Sequence, residues 1–445
     1  MSKVEKALQS ANDTKALLIR VDALNKVGEL FKKLYPNKEA VIIADQTTYA
    51  VAGKAVEKNL KKEGIKQQRP FIYKTENLYA EYTYVEELAK SLKQHEAIPI
   101  AVGSGTINDL TKLASHLTHR HYICVATAAS MDGYTAFGAS ITANGAKQTF
   151  NCPAPQACLA DIEIIRKAPG KMTSSGYADL FAKITAGADW ILADVLGVEP
   201  IDKQAWSIVQ DGLHDSLADP EGVRNGDIKA ISALIEGLML GGFAMQWSKS
   251  SRPASGAEHQ FSHLWNMEHH LYNKQSVSHG FQVAIGTLAI LALYEEFLNT
   301  PITEMDIQAC CEAWPTAEKL EKESLDIFKN TDFPEIGYQE TKAKYVTKDA
   351  LAQQLQILKE RWPEIQEKIR AQLISFEDAK KRLKCVGAPT EPEEIGISRE
   401  YLKQTFIRAQ YIRRRFTVLD IAVRTNYLNK WLDRLFGKGG IWEIV

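Results

Sequence analysis

The chain has 445 residues, 45% hydrophobic and 24% charged, with a formal net charge of −1. That length exceeds one ordinary core and predicts two domains, while the composition excludes bulk disorder and collagen-like repeats. Fifty-four Lys and Arg balance fifty-five Asp and Glu; with no basic excess to grip a phosphate backbone, nucleic acid is not an expected partner.

The first segment, MSKVEKALQSANDTKALL, is charged throughout and lacks the apolar stretch of a signal peptide. Cys124, Cys152, Cys158, Cys310, Cys311 and Cys385 include no CxxC pair. Reduced thiols in a cytoplasmic protein are therefore expected. From residue 39 to 166 short apolar runs alternate with helical patterns. The runs are Ala40–Ala44, Pro70–Tyr73, Ile98–Val102, Tyr122–Ala126 and Ala157–Ile165, with helix-like segments such as Ala50–Glu63 and Tyr84–His95 between the earlier ones. This alternation predicts βαβ units and a parallel sheet.

After Pro169 apolar residues recur at helical spacing through 176–196, 230–247, 259–272 and 280–297, and no strand alternation is visible to the end of the chain. The expected division is a Rossmann-like α/β domain over 1–168 and an all-helical domain over 169–445, with the boundary at Ala168–Lys171. Ile231–Trp247 contains Glu236, and Phe281–Tyr294 is only fourteen residues long. The latter is too short for a bilayer of about 30 Å. Both are expected to be buried helices rather than membrane spans. Lys384–Ile395, with two prolines and a glycine, reads as a loop.

In the α/β half, the run from Ile98 leads into Gly103-Ser-Gly105-Thr106-Ile107-Asn108-Asp109. A strand entering a glycine turn that opens a helix aims free backbone N–H groups and a positive dipole end at a pyrophosphate. Asn108 takes the place of the third glycine of the dinucleotide fingerprint, and the turn follows the third predicted strand rather than the first. A tight turn without a ligand would read the same way. Thr127, Ala128, Ala129 and Ser130 follow the fourth strand, with Asp132 next; α/β sheets place ligands there. Asp132 could bind hydroxyl groups or cap a helix. Asp45 ends the Ala40–Ala44 run; it could accept ribose hydroxyls and repel a 2′-phosphate, or cap the helix that follows.

In the helical half, Asp179 is embedded in an apolar helical pattern, where an unpaired carboxylate would be costly. His259 and His263 lie four apart and share a helix face, and His279 opens a very apolar helix. A carboxylate with two or three imidazoles suits zinc, nickel or iron and leaves open positions for a substrate oxygen. Spacing alone leaves open whether both His259 and His263 ligate.

Taken in order, GSGTINDLTK, ATAASMDGY, GYADLFAK, RPASGAEHQFSH and the HG before an apolar helix resemble the sn-glycerol-1-phosphate dehydrogenases, the bacterial type most closely. That family sits among the iron-dependent alcohol dehydrogenases, glycerol dehydrogenases and dehydroquinate synthases. The resemblance is densest over 98–290, and GAPTEPEEIGISREYL and RRRFTVLD extend it to the tail. It implies NAD or NADP on Gly103–Asp109 and Thr127–Ser130, with Asp45 near the adenosine ribose, and an active site in a cleft between the domains. It implies Asp179, His259 and His279 as metal ligands, and Asp132 and His263 as substrate contacts. A homodimer is implied as well. In one departure, Ala136 stands where the family usually has a serine on the nicotinamide side, with Thr135 beside it. The spacing from His259 to His279 also suggests a small insertion around 269–277.

The expected reaction is reversible hydride transfer between NAD(P)H and C2 of dihydroxyacetone phosphate, giving sn-glycerol 1-phosphate. The metal would polarise the carbonyl, Asp132 would orient hydroxyls, and His263 or a bound water would supply the proton. Lys183 and Arg252 are candidates for the substrate phosphate by position. Rival readings are a dehydroquinate-synthase-like cyclase, a glycerol dehydrogenase for unphosphorylated polyols, and a non-enzymatic binding protein.

Overall fold

The computed structural model of the protein describes residues 3–75, 78–143 and 146–444. Its N-terminal part is built on a parallel six-stranded sheet. The strands in chain order are β1 (Ala16–Arg20), β2 (Ala40–Asp45), β3 (Phe71–Tyr73), β4 (Ile98–Gly103) and β5 (Ile123–Ala126). After a separate antiparallel hairpin of β6 (Ala139–Ala143) and β7 (Ala146–Phe150), the sheet is completed by β8 (Ala157–Asp161). Side by side they run β1-β8-β5-β4-β2-β3. β2, β4, β5 and β8 are continuous apolar runs because helices cover both sheet faces.

This order creates a topological switch. From β2 the chain moves outward to β3, and from β4 it moves the opposite way to β5. β2 and β4 are neighbours, paired Ile43 to Ala101. The carboxyl ends of β2 and β4, at Asp45 and Gly103, therefore flank the point where α/β sheets open a ligand crevice.

Several elements differ from expectation. β1 escapes the apolar-run pattern because it is a short edge strand, only partly buried and ending at an exposed Arg20. The Ala157–Ile165 run is not one strand. Asp161 accepts from the backbone N–H of Glu163 and caps the helix Ile162–Ile165. In the expected all-helical half, β9 (Leu271–Tyr272) and β10 (Gln275–Ser276) form a small hairpin, in the stretch where an insertion is expected. It turns through Asn273 and Lys274, both with positive φ. The first residues of the expected loop 384–395 instead finish the helix Phe376–Val386.

The chain separates into two compact units. The first comprises Met1–Leu180, Gln204–Ser251 and Cys385–Gly387; the second comprises Phe181–Lys203, Arg252–Lys384 and Ala388–Val445. The change of texture at 168–171 falls within the first of these units, to which the chain comes back at Gln204–Ser251. The helix Ile228–Ser248 explains the return. Its buried Gln246 accepts from the backbone N–H groups of Asp13 and Thr14 and donates to the Thr135 carbonyl, fastening the helix to the approach to β1.

The second unit is mostly helical, and its core is built around the helix His279–Leu298. That helix has 20 residues, so its length does not exclude a membrane span as the shorter apolar run suggested. Burial gives a clearer reading. The protein's own core covers 83% of its apolar window, and 67% of that of Ile228–Ser248, as in core helices. All the cysteines are free thiols.

Candidate active site

The glycine turn follows directly from the sheet. β4 ends at Gly103 and the helix Gly105–Leu117 begins at once, with Ser104 as an extended N-cap whose side chain makes no capping bond. The first-turn N–H groups of this helix are therefore not spent on the Ser104 hydroxyl. The glycines answer to the protein's own packing. A Cβ on Gly103 would sit 2.5 Å from the Ile107 side chain, and one on Gly105 would sit 2.8 Å from Met131.

Asn108, in the place of the third glycine, is buried and structural. Its amide donates to the Gly133 carbonyl and its oxygen accepts from the Tyr122 hydroxyl. Asp109 accepts from the Ser140 N–H. Asp45 forms a capping box with Thr48 at 2.7 Å, which is the helix-cap reading of that residue.

The segment Thr127–Ser130 lies beside this turn, with the Thr127 N–H donating to the Gly103 carbonyl. The helix Gly170–Phe181 presses against it at Gly176, where a Cβ would meet the Ala129 carbonyl at 2.0 Å. Beyond it, the loop 131–138 is tied down by Lys112, a residue to which the sequence alone assigns no role. The buried Lys112 ammonium donates to the carbonyls of Gly133, Ala136 and Gly138 at 2.9 to 3.0 Å. The Asp132 N–H in this loop donates to Asp179 Oδ2 at 3.0 Å. The Thr135 hydroxyl, fully buried beside Ala136, donates to the Met239 carbonyl at 2.7 Å.

Asp179, His259 and His279 come together. One ligand atom from each lies within 4.8 Å of the others. Asp179 is fully buried and His259 is nearly so. His263 stands apart from this group, its ring centroid 6.4 Å from that of His259, whereas His279 is at 5.2 Å.

The neighbours of the imidazoles determine which nitrogen can ligate. His259 Nδ1 lies 2.7 Å from Glu258 Oε1. The carboxylate accepts from Nδ1, which leaves Nε2 as the nitrogen that can ligate. For His279, the Ser262 hydroxyl gives its proton to Gln282 Oε1 at 2.9 Å, so at 3.3 Å it can only accept from His279 Nδ1. Both rings thus have Nδ1 engaged and Nε2 as the nitrogen for a metal, as outer-shell partners of metal-binding histidines hold them. A buried carboxylate with two such nitrogens fits zinc, nickel or iron.

Behind the site, Glu258 also accepts from the Gly256 N–H and the Thr185 hydroxyl. Burial drives its carboxyl upward, but His259, Gly256 and Thr185 together outweigh that and hold it below its ordinary range. Asp189, equally buried, accepts from the Tyr294 hydroxyl and the N–H groups of Ala257 and Val418. Burial and the nearby Glu258 push it up to about 7. Gly256 fits between these acids because a Cβ there would come within 2.6 Å of Asp189 and 2.8 Å of Glu258.

Of the expected phosphate cations, Lys183 is fully buried. Arg252 is committed to the carbonyls of Phe416 and Asp189, each at 3.0 Å, with Glu199 at 3.2 Å. Sequence reasoning overlooked Glu258 and Arg413, whose Nη2 lies 3.0 Å from His263 Nε2. The first was signalled by an acid inside an apolar helical pattern next to His259; the second had no local signal within its run of arginines.

Residues 18–169 match the family model described as iron-containing alcohol dehydrogenase. The crystal structure of glycerol dehydrogenase from Schizosaccharomyces pombe superposes with a TM-score of 0.59 at 17% identity, covering 94% of this chain and 90% of that one. The fold is therefore that of the glycerol and iron-containing alcohol dehydrogenases. A glycerol-1-phosphate dehydrogenase [NAD(P)+] from Geobacillus thermodenitrificans is 32% identical over 65% of this chain and 72% of its own length. The Bacillus subtilis protein of the same name is 30% identical over 71% of this chain and 84% of its own. The chain belongs to the glycerol-1-phosphate dehydrogenase family.

Proposed function

We propose that the protein is a metal-dependent, NAD(P)-linked oxidoreductase that interconverts dihydroxyacetone phosphate and sn-glycerol 1-phosphate by hydride transfer at C2. The observation that carries this reading is the convergence of Asp179, His259 and His279 within 4.8 Å, in a chain related to enzymes of that name. When bound there, the metal supplies Lewis acidity toward the C2 carbonyl oxygen.

The chain's own residues do the rest. In this reading residues 1–168 form the dinucleotide-binding domain. The turn receives the pyrophosphate on the first-turn N–H groups of Gly105, Thr106 and Ile107, with Gly103, Asn108 and Asp109 framing it. Thr127, Ala128, Ala129 and Ser130 line the same carboxyl edge of the sheet, and Asp45 takes the ribose with the carboxylate oxygen that its cap leaves over. Residues 169–445 form the helical metal- and substrate-binding domain. Asp132 orients the substrate hydroxyls.

His263 exchanges the proton at the C2 oxygen. A guanidinium can only donate, so in the 3.0 Å contact from Arg413 Nη2 the His263 Nε2 is the acceptor, and it can take up or return the substrate proton only when that contact opens. The protein is further proposed to be cytoplasmic and to work as a homodimer.

The test is oxidation of NADH and of NADPH by the metal-reconstituted protein with dihydroxyacetone phosphate, beside dihydroxyacetone. Turnover of the phosphorylated triose, abolished by chelation, is the expected result. Turnover of dihydroxyacetone alone would make it a polyol dehydrogenase, and no net change of NADH with either would defeat the assignment.

A further inference from the structure

The consecutive arginines 413–415 take different partners. Arg414 turns outward and pairs with Glu340 at 2.6 Å. Arg415 donates to the Ser255 carbonyl, also at 2.6 Å. Arg413 reaches His263, its Nη2 lying 3.0 Å from the ring Nε2. An imidazole that must accept from a guanidinium offers it no countercharge. Among the described residues no carboxylate forms an ion pair with Arg413; Glu340, whose charge acts on it, is already held by Arg414.

This guanidinium is half-buried, where an uncompensated charge is costly. It is also crowded by its own kind. Burial first, then Arg252 and Arg413, push the Arg415 guanidinium down to about 9. Arg252 cannot turn to a ligand without giving up the Phe416 and Asp189 carbonyls. Of these cations, Arg413 alone has a neutral side chain as its partner, and that side chain is one helical turn beyond the metal ligand His259, with ring centroids 6.4 Å apart.

We propose that Arg413 is the anchor for the substrate's phosphate group. The inference rests on the reaction assigned above and adds to it the residue that distinguishes a phosphorylated triose from a free one. In the substrate, C3 and its ester oxygen are all that separate the C2 carbonyl from the phosphate. A group held at the metal ligands by its carbonyl therefore carries its phosphate toward a cation close to them. The planar fork of a guanidinium suits two phosphate oxygens at once. A phosphate there would also supply the countercharge that His263 does not.

The test begins with inorganic phosphate titrated calorimetrically into the full-length, metal-loaded protein and its variants. Arg413→Gln keeps an N–H donor for His263 but removes the charge. It is expected to weaken phosphate binding about 10- to 100-fold, the value of a charge-assisted hydrogen-bond pair. Its kcat/KM preference for dihydroxyacetone phosphate over dihydroxyacetone should fall by a similar factor. Arg414→Gln, on the outward-facing neighbour, should bind phosphate like the wild type.

An Arg413→Gln protein that melts like the wild type and binds phosphate equally well overturns the proposal. So does one that loses both trioses in the same proportion. Phenylglyoxal labelling of the wild-type protein, read by peptide mass mapping, decides the question without any variant: inorganic phosphate should protect Arg413, and labelling that phosphate leaves unchanged sinks the idea. If the wild-type protein reduces neither triose, the assigned reaction fails on its own, and the phosphate titration and labelling still judge Arg413.

Discussion

Glu258 holds the imidazole of its own chain neighbour, His259, by a 2.7 Å contact to Nδ1. Consecutive residues on a helix point about 100° apart, so the contact needs Glu258 to be turned back and fixed. The Gly256 N–H and the Thr185 hydroxyl do this by occupying its two oxygens. Outer-shell carboxylates of this kind are worth about 10- to 100-fold in metal affinity. Glu258→Ala should lower affinity by that factor while Asp179, His259 and His279 stay in place. Glu258→Gln keeps an acceptor for Nδ1 and should lose less. Metal content after dialysis against graded chelator measures both; unchanged retention in Glu258→Ala would show that His259 needs no such partner.

His259 and His263 share a helix face but have different neighbours, and their variants should separate cleanly. His259→Ala removes one of the clustered ligand atoms and should lose the metal. His263, which meets Arg413 and is not among the clustered ligand atoms, should keep the metal in His263→Ala and lose rate. Elemental analysis beside a turnover assay reads both. Metal lost from His263→Ala would mean that the ligand assignment is wrong.

Those two histidines also mark how far the sequence could be read. The HxxxH spacing placed them on one face of one helix, and the helix is there. Which of them meets Asp179 depends on packing between segments far apart in the chain, and periodicity carries no such information; the family resemblance supplied it. The sheet was legible where strands are buried on both faces, as in Ala40–Ala44 and Ile98–Val102. It was not legible at the partly buried edge strand Ala16–Arg20. Lys112 illustrates the remaining gap. A lysine in a helical pattern ordinarily reads as a solvated residue, and only the fold reveals the carbonyls of Gly133, Ala136 and Gly138 around its ammonium.

Asp189 gives the stability a pH dependence of known sign. Burial, then repulsion from Glu258, raises its carboxyl from 3.8 to about 7. A raised acid binds its proton more tightly folded than unfolded, so its contribution is fully present below pH 4 and is lost as pH climbs to 7. The slope it adds is at most about 1.4 kcal/mol per pH unit. Denaturant midpoints taken between pH 4 and 7 should fall less steeply for Asp189→Asn than for the wild type. Identical slopes would mean that Asp189 keeps an ordinary carboxyl in the fold.

Gly176 is the point at which the helix carrying Asp179 presses on the turn proposed to receive the cofactor. A Cβ there would stand 2.0 Å from the Ala129 carbonyl oxygen and 2.7 Å from its carbon. Both are backbone atoms, so no flexible side chain can swing away, and either the helix or the segment Thr127–Ser130 must move. Overpacking of this kind typically costs about 1 to 3 kcal/mol. Gly176→Ala should therefore melt lower than the wild type. Because displacement of Ala129 disturbs the proposed cofactor edge, its KM for NADH or NADPH should rise several-fold more than its KM for the triose. A thermal melt and paired Michaelis curves separate the two effects, and a variant with lowered stability but unchanged cofactor KM would remove Thr127–Ser130 from the binding edge.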